Sequence, residues 1–244
     1  MDNNNMSMFT TPNQFNYSAV SINQLGATEY SLVNILVDES SSVGAFKAEL
    51  DDCLKVIVDA CKKHPNSGKL LVRVATFSSR GISEIHGFNM ITAIDTSKYN
   101  VMPWGSTPLY DAALDAIDTT GSFAKTLTDQ DYFVNGIFFV VTDGEENCST
   151  RATVGNIKTT LENLRRSEAL ESVKSILIGV NVQGGTSSYL DSFKNDAGFD
   201  EYIAIGDASA GKLAKLAQWV SASISSTSQA LGSGGPSQSV SFTI

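Results

Sequence analysis

The hydrophobic positions of the chain follow two periods. Ser31–Val37 (SLVNILV) is a near-continuous apolar run ending at Asp38. Lys69–Phe77 (KLLVRVATF), Val134–Val141 (VNGIFFVV) and Ser172–Val180 repeat the pattern. Such runs mark strands covered on both faces, as in parallel sheets between helices. Ile82–Phe88 (ISEIHGF) alternates instead and follows the turn Ser79-Arg80-Gly81, which predicts an antiparallel edge strand with one wetter face. Tyr202–Ile205 is a brief sixth strand. Between these runs the apolar spacing shifts to three and four, the signature of a one-sided helix. It predicts helices over Val43–Lys63, Pro108–Lys125, Thr153–Arg166, Ser188–Asn195 and Lys212–Ile224. His64-Pro65-Asn66 stops the first of them, and Pro108 suits the first position of the second.

Strands alternating with helices define an α/β fold: a doubly wound, mostly parallel sheet of six strands, with one antiparallel edge strand and helices on both faces. The domain spans residues 29–226. Residues 1–28, rich in Asn, Gln, Ser and Thr, form an N-terminal arm that packs on the domain or on a partner, its first dozen residues ordered or not. Residues 227–244 form a Ser/Gly-rich tether that ends in the alternating Ser239–Ile244, a strand signature.

Composition narrows the partners. A net charge of -9 and a pI near 4.7 disfavour nucleic acid and anionic membranes, both of which need clustered Lys and Arg. The pairs Lys62–Lys63 and Arg165–Arg166 lie at helix ends, where cations complement the dipole. The N-terminus shows neither a basic stretch nor an apolar stretch of a secretory leader. Cys53 and Cys61 lie eight positions apart on one helix, about 12 Å, too far for a disulfide, and Cys148 stands alone in a polar loop. A cytoplasmic location is the resulting expectation.

Three segments then offer oxygen ligands, each directly after a strand or opening a helix. They are Asp38-Glu39-Ser40-Ser41-Ser42, Gly105-Ser106-Thr107-Pro108-Leu109 and Thr142-Asp143-Gly144. In a doubly wound sheet all three meet at the carboxyl ends of the strands, where such folds bind ligands. Asp38, Ser40, Ser42, Thr107 and Asp143 make a hard-oxygen set without His or Cys. That chemistry selects Mg²⁺, with Mn²⁺ or Ca²⁺ also suited, over zinc.

On these residues the chain resembles a von Willebrand factor type A domain carrying a metal-ion-dependent adhesion site, over roughly residues 30–226. Asp38, Ser40 and Ser42 match the family's D-x-S-x-S, Thr107 its distal threonine, and Asp143 its strand-end aspartate. The stretch GSTPLYDAALDAI is similar to intracellular bacterial and phage members of the tellurium-resistance type. Ser41 stands where most members have Gly, a loss of backbone freedom in that loop. The resemblance implies binding, not turnover: the ion's open position is completed by an acidic residue of a partner protein. Glu39, Trp104, Ser106, Glu145, Glu146 and Asn147 form the rim expected to select that partner.

Two other classes compete. A metal-assisted hydrolase lacks a base at the site, since the two histidines, His64 and His86, lie at a helix end and in the edge strand. Ser40 also stands where haloacid-dehalogenase-type phosphatases need a second carboxylate. A structural subunit of a larger particle, such as a phage, would use the N-terminal arm and self-assemble through the C-terminal segment.

Overall fold

The computed structural model describes residues 6–206 and 209–233, with backbone alone at 98 and 228–233. The strands are β1 (Met6–Thr10), β2 (Asn16–Val20), β3 (Glu29–Asp38), β4 (Leu70–Ser78), β5 (Gly81–Met90), β6 (Phe133–Thr142), β7 (Ser172–Val180) and β8 (Glu201–Ile205). The helices are α1 (Lys47–Lys63), α2 (Leu109–Thr128), α3 (Val154–Arg166), α4 (Gly184–Ala197) and α5 (Ala210–Ser233).

One sheet runs in the order β1-β2-β5-β4-β3-β6-β7-β8. β4, β3, β6, β7 and β8 are mutually parallel, and β5 pairs antiparallel with β4. The apolar runs are buried on both faces as their composition demands. Val33, Ile35 and Val37 pack with α1 and α5, while Leu32 and Leu36 pack with α2 in a second core that also takes in α3 and α4. From β3 the chain winds outward to β4, then returns to place β6 on the other flank of β3. The strand order therefore reverses between β3 and β6, the switch point at which doubly wound sheets bind ligands.

The α/β class holds, but the sheet has eight strands where six were expected. The extra pair comes from the N-terminal segment: β1 and β2 form a hairpin, and β2 joins β5 through Ala19 opposite Phe88. β5 is antiparallel as expected, yet it is not an edge. Its alternating first half keeps a wetter face, with Ser83 exposed and Ile82 and Glu84 half-buried. Phe9, Tyr17, Phe88 and Phe123 stack into one aromatic cluster, with Phe88 and Phe123 rings 5.1 Å apart. The N-terminal arm thus packs on its own domain. At the other end α5 continues past Ile224 to Ser233, so residues 227–233 of the expected tether are helical. Ser239–Ile244 lies outside the described residues.

Among the buried polar side chains, Asn34 and Arg73 tie the sheet to α2. Asn34 on β3 donates to Ala116 O, Thr119 Oγ1 and Thr120 Oγ1 on α2. Arg73 on β4, fully buried, pairs with Asp115 on α2 at 2.7 Å and Glu84 on β5 at 2.6 Å. Glu84 in turn accepts from the Ser18 amide and hydroxyl on β2, tying the hairpin to the sheet.

The hairpin's attachment is open to a direct test. A Cβ on Gly87 would lie 2.0 Å from Ser18 O, so Gly87→Ala should push β2 off β5. The expected result is early proteolytic loss of residues 6–20 at a protease concentration that spares wild type; an unchanged digestion pattern contradicts the packing.

Candidate metal centre

β3 and β6 end side by side, and that places the site. Val37 pairs with Val141 in the parallel register, so Asp38 and Thr142 are the next neighbours along the two strands. Thr142 Oγ1 donates to Asp38 Oδ2 at 2.6 Å, and the Ser40 amide donates to Asp38 Oδ1 at 2.8 Å. Both oxygens of a fully buried carboxylate are thereby oriented before any ligand arrives. Thr142 drew no attention in the sequence because a strand-end threonine is ordinary; only strand adjacency gives it a role.

The loop after β3 reaches the end of β6. Ser40 Oγ and Ser42 Oγ lie 2.9 Å apart, and Ser42 Oγ donates to Asp143 Oδ1 at 3.1 Å. Neighbouring ligands on an octahedral ion with bonds of about 2.1 Å are about 3.0 Å apart, so these hydroxyl and carboxylate spacings suit Mg²⁺ or Mn²⁺. Ser41 lies in a short 3₁₀ turn, Ser41–Ala45, and is not among the non-glycine residues with positive φ. No glycine is needed there.

Thr107 is positioned from two sides. Its amide donates to Asn147 Oδ1 at 2.8 Å, while its carbonyl accepts from the Asn147 amide at 3.1 Å. A Cβ on Gly144 would stand 3.6 Å from Thr107 Oγ1, which puts that hydroxyl against the residue following Asp143. The structure thus brings all five expected ligands to one end of the sheet. Gly105 is required just before them. Its φ is +70°, and a Cβ there would meet Ser79 Oγ at 1.9 Å, while its carbonyl accepts from the Ser41 amide.

The expected rim divides. Glu146 points inward: its carboxylate accepts from the amides of Tyr110, Cys148 and Ser149 and from the Ser149 hydroxyl. It organises the loop after β6 and offers nothing outward. Asn147 is exposed but its side-chain oxygen is spent on Thr107. Ser106 and Glu145 are exposed, Glu39 is half-buried, and Trp104 is 54% exposed with the Arg80 guanidinium 4.2 Å over its ring.

Burial pushes the Asp38 carboxyl up to about 7, against the hydrogen bonds from Thr142 and Ser40, and Asp143 nearby adds to the rise. Burial also raises Asp143, opposed by Ser42. Two carboxyls that resist ionisation without a counter-charge are what a cation would relieve. Among the described residues no three His, Cys, Asp or Glu side chains cluster. The candidate set depends on hydroxyls instead, as in sites that leave the ion only partly neutralised.

The architecture is that of a doubly wound α/β protein with an oxygen-lined site at its switch point. No protein-family model matches the chain, and no curated protein matches it in sequence. Among solved structures it is similar to proximal thread matrix protein 1 from the mussel byssus, at 19% identity and TM-score 0.53, over 80% of this chain and 46% of that one. The pilus adhesin SpaC from Lactobacillus rhamnosus GG, in its open conformation, gives 12% and 0.59 over 91% of this chain and 35% of that one. The D319A mutant of the PilB minor pilin from Streptococcus sanguinis gives 14% and 0.54 over 86% and 64%. The chain spans less than half the length of the thread matrix protein. At these identities the likeness is one of fold.

Asp38 ties stability to pH. Its carboxyl rises from 3.8 in the unfolded chain to about 7 in the fold, so stability present below pH ~4 is lost as pH climbs through about 7. In chelator, wild type should melt higher near pH ~5 than near pH ~8, and Asp38→Asn should flatten that slope. A variant with the wild-type slope would remove Asp38 as its source.

Proposed function

We propose that this protein is a metal-dependent protein-binding module of the von Willebrand factor type A kind, not an enzyme. A Mg²⁺ ion would be held by Asp38, Ser40, Ser42, Thr107 and Asp143, and an acidic side chain of a partner protein would complete its coordination. The observation that carries the reading is the 2.9 Å and 3.1 Å spacing of Ser40, Ser42 and Asp143 oxygens beside a buried Asp38. The ion supplies an electrophilic position for an oxygen ligand. The protein supplies orientation: Thr142 and the Ser40 amide fix Asp38, and Asn147 fixes Thr107. Glu39, Trp104, Ser106 and Glu145 form the outward rim, with Trp104 held on Arg80 as an aromatic anchor.

The positions of the histidines support binding over hydrolysis. His64 Nε2 contacts Ser225 Oγ at 2.8 Å beneath α5, and His86 Nε2 contacts Tyr99 Oη at 2.6 Å. Neither borders the site. A role in adhesion or assembly is in keeping with neighbours named pilus adhesin, minor pilin and thread matrix protein. The cytoplasm remains the proposed compartment on the three unpaired cysteines, Cys53, Cys61 and Cys148.

Calorimetric titration with Mg²⁺ tests the site. Asp38→Ala and Asp143→Ala should each weaken binding at least tenfold, and Thr142→Val should weaken it by about tenfold through Asp38 alone. Equal affinity in wild type and both aspartate variants would overturn the reading.

A further inference from the structure

A polar cavity opens at the same end of the sheet, between the β4–β5 turn and the start of α2. Its volume is about 470 Å³, within the range of small-molecule sites. Ser78, the β4–β5 turn, the start of α2, the turn at Gln14–Asn16 and the loop at 148–151 enclose it. None of the five metal-centre residues lines it.

Asp115 lines this cavity and is 1% exposed. Its Oδ2 accepts from Arg73, while Oδ1 is buried without a partner among the described residues. The surrounding charge is uneven. Arg73 brings one positive charge to two carboxylates, Glu84 and Asp115, so the buried cluster is one positive charge short. Arg73 Nη2 also lacks a partner among the described residues, so the cluster is incomplete on both sides. Burial holds the Asp115 carboxyl above the ordinary range despite Arg73, and a second cation would relieve that cost.

The exposed part of the lining is the reverse in sign. Arg80 and Arg151 are both exposed and both line the cavity. Neither guanidinium has a carboxylate partner among the described residues, where the arginine ion pairs belong to Arg73, Arg165 and Arg166. Both are held in place. Arg80 stacks on Trp104 at 4.2 Å; Arg151 lies 5.2 Å from the Phe15 ring and donates to Gln14 O at 3.2 Å. Asp111, which also lines the cavity, keeps its negative charge but turns its carboxylate onto the amides of Thr150, Arg151 and Ala152 and makes no ion pair with either guanidinium. That grip fixes the backbone that carries Arg151.

An anion deep inside and two pre-set guanidiniums outside complement a ligand of the opposite polarity. We propose that this cavity binds a basic α-amino acid, free or as the C-terminal residue of a peptide, with its carboxylate on Arg80 and Arg151 and its cationic tip at Asp115. The guanidiniums favour a carboxylate through paired, charge-assisted hydrogen bonds. They also repel a cation that brings no anion with it, so a simple amine is a poorer ligand. This site is separate from the metal-centre reading and does not rest on it.

The test is calorimetry of the full-length protein in EDTA with L-lysine and L-arginine at about 10 mM, enough to fill a site of about 1 mM affinity. At least one should bind. L-Lysinamide, which lacks the carboxylate, and L-norleucine, which lacks the terminal ammonium, should each bind at least tenfold more weakly. Arg151→Gln and Arg80→Gln, both exposed changes, should weaken binding at least tenfold with an unchanged circular dichroism spectrum. Nα-acetyl-L-lysine separates the sources: binding equal to L-lysine assigns the C-terminus of a peptide, and rejection assigns the free amino acid. The proposal is overturned if neither amino acid binds, as for a cavity that holds water only. It is equally overturned if L-norleucine matches L-lysine, or if both arginine variants bind like wild type.

Discussion

The parallel register of β3 against β6 is the constraint on which the candidate site depends. Because Val37 sits opposite Val141, the two strands deliver Asp38 and Thr142 together at the point where strand order reverses. The Thr142 hydroxyl then fixes one oxygen of Asp38 at 2.6 Å, and Asp143 follows one residue later. A slip of one residue would turn each side chain to the opposite face and separate the pair. The alternating packing of β3 into two helical layers holds that register, since each layer fills only when Leu32 and Leu36 face one side and Val33, Ile35 and Val37 the other.

Around that fixed pair the loops are held by side chains acting as backbone acceptors. Glu146 gathers the amides of Tyr110, Cys148 and Ser149, Asp111 gathers those of Thr150, Arg151 and Ala152, and Asn147 takes that of Thr107. Loop amides facing a sheet edge would otherwise cost a lost hydrogen bond each. Glu146, Asp111 and Asn147 therefore act within the scaffold. Trp104 and Arg80, stacked on each other, face outward on that same end.

Much of this was legible in the sequence, for identifiable reasons. The four long apolar runs and the helices between them follow from period alone, and the five site residues stand at strand and helix ends that periodicity locates. What escaped were features set by tertiary adjacency. β1 and β2 are short and polar, and they gain their stability from Tyr17 and Phe9 packing on Phe88 and Phe123, which no local pattern reveals. Arg73 and Asn34 stand inside apolar runs, and their partners, Asp115 and Thr119 on α2 and Glu84 on β5, are set by packing alone. Glu146 carried the residue type expected of a rim, but its direction is set by three amides that only the folded loop presents. Ser41 shows the opposite case: the glycine expected at that position is not required, because Ser41 is not among the residues with positive φ.

An ion bound between β3 and β6 is the central claim, and crystals grown with Mn²⁺ and measured for anomalous scattering address it most directly. The expected result is one anomalous peak within about 2.3 Å of Ser40 Oγ and Ser42 Oγ, beside Asp143 and Thr107. Density at that position with no anomalous signal, in crystals where Mn²⁺ is bound elsewhere, would contradict it.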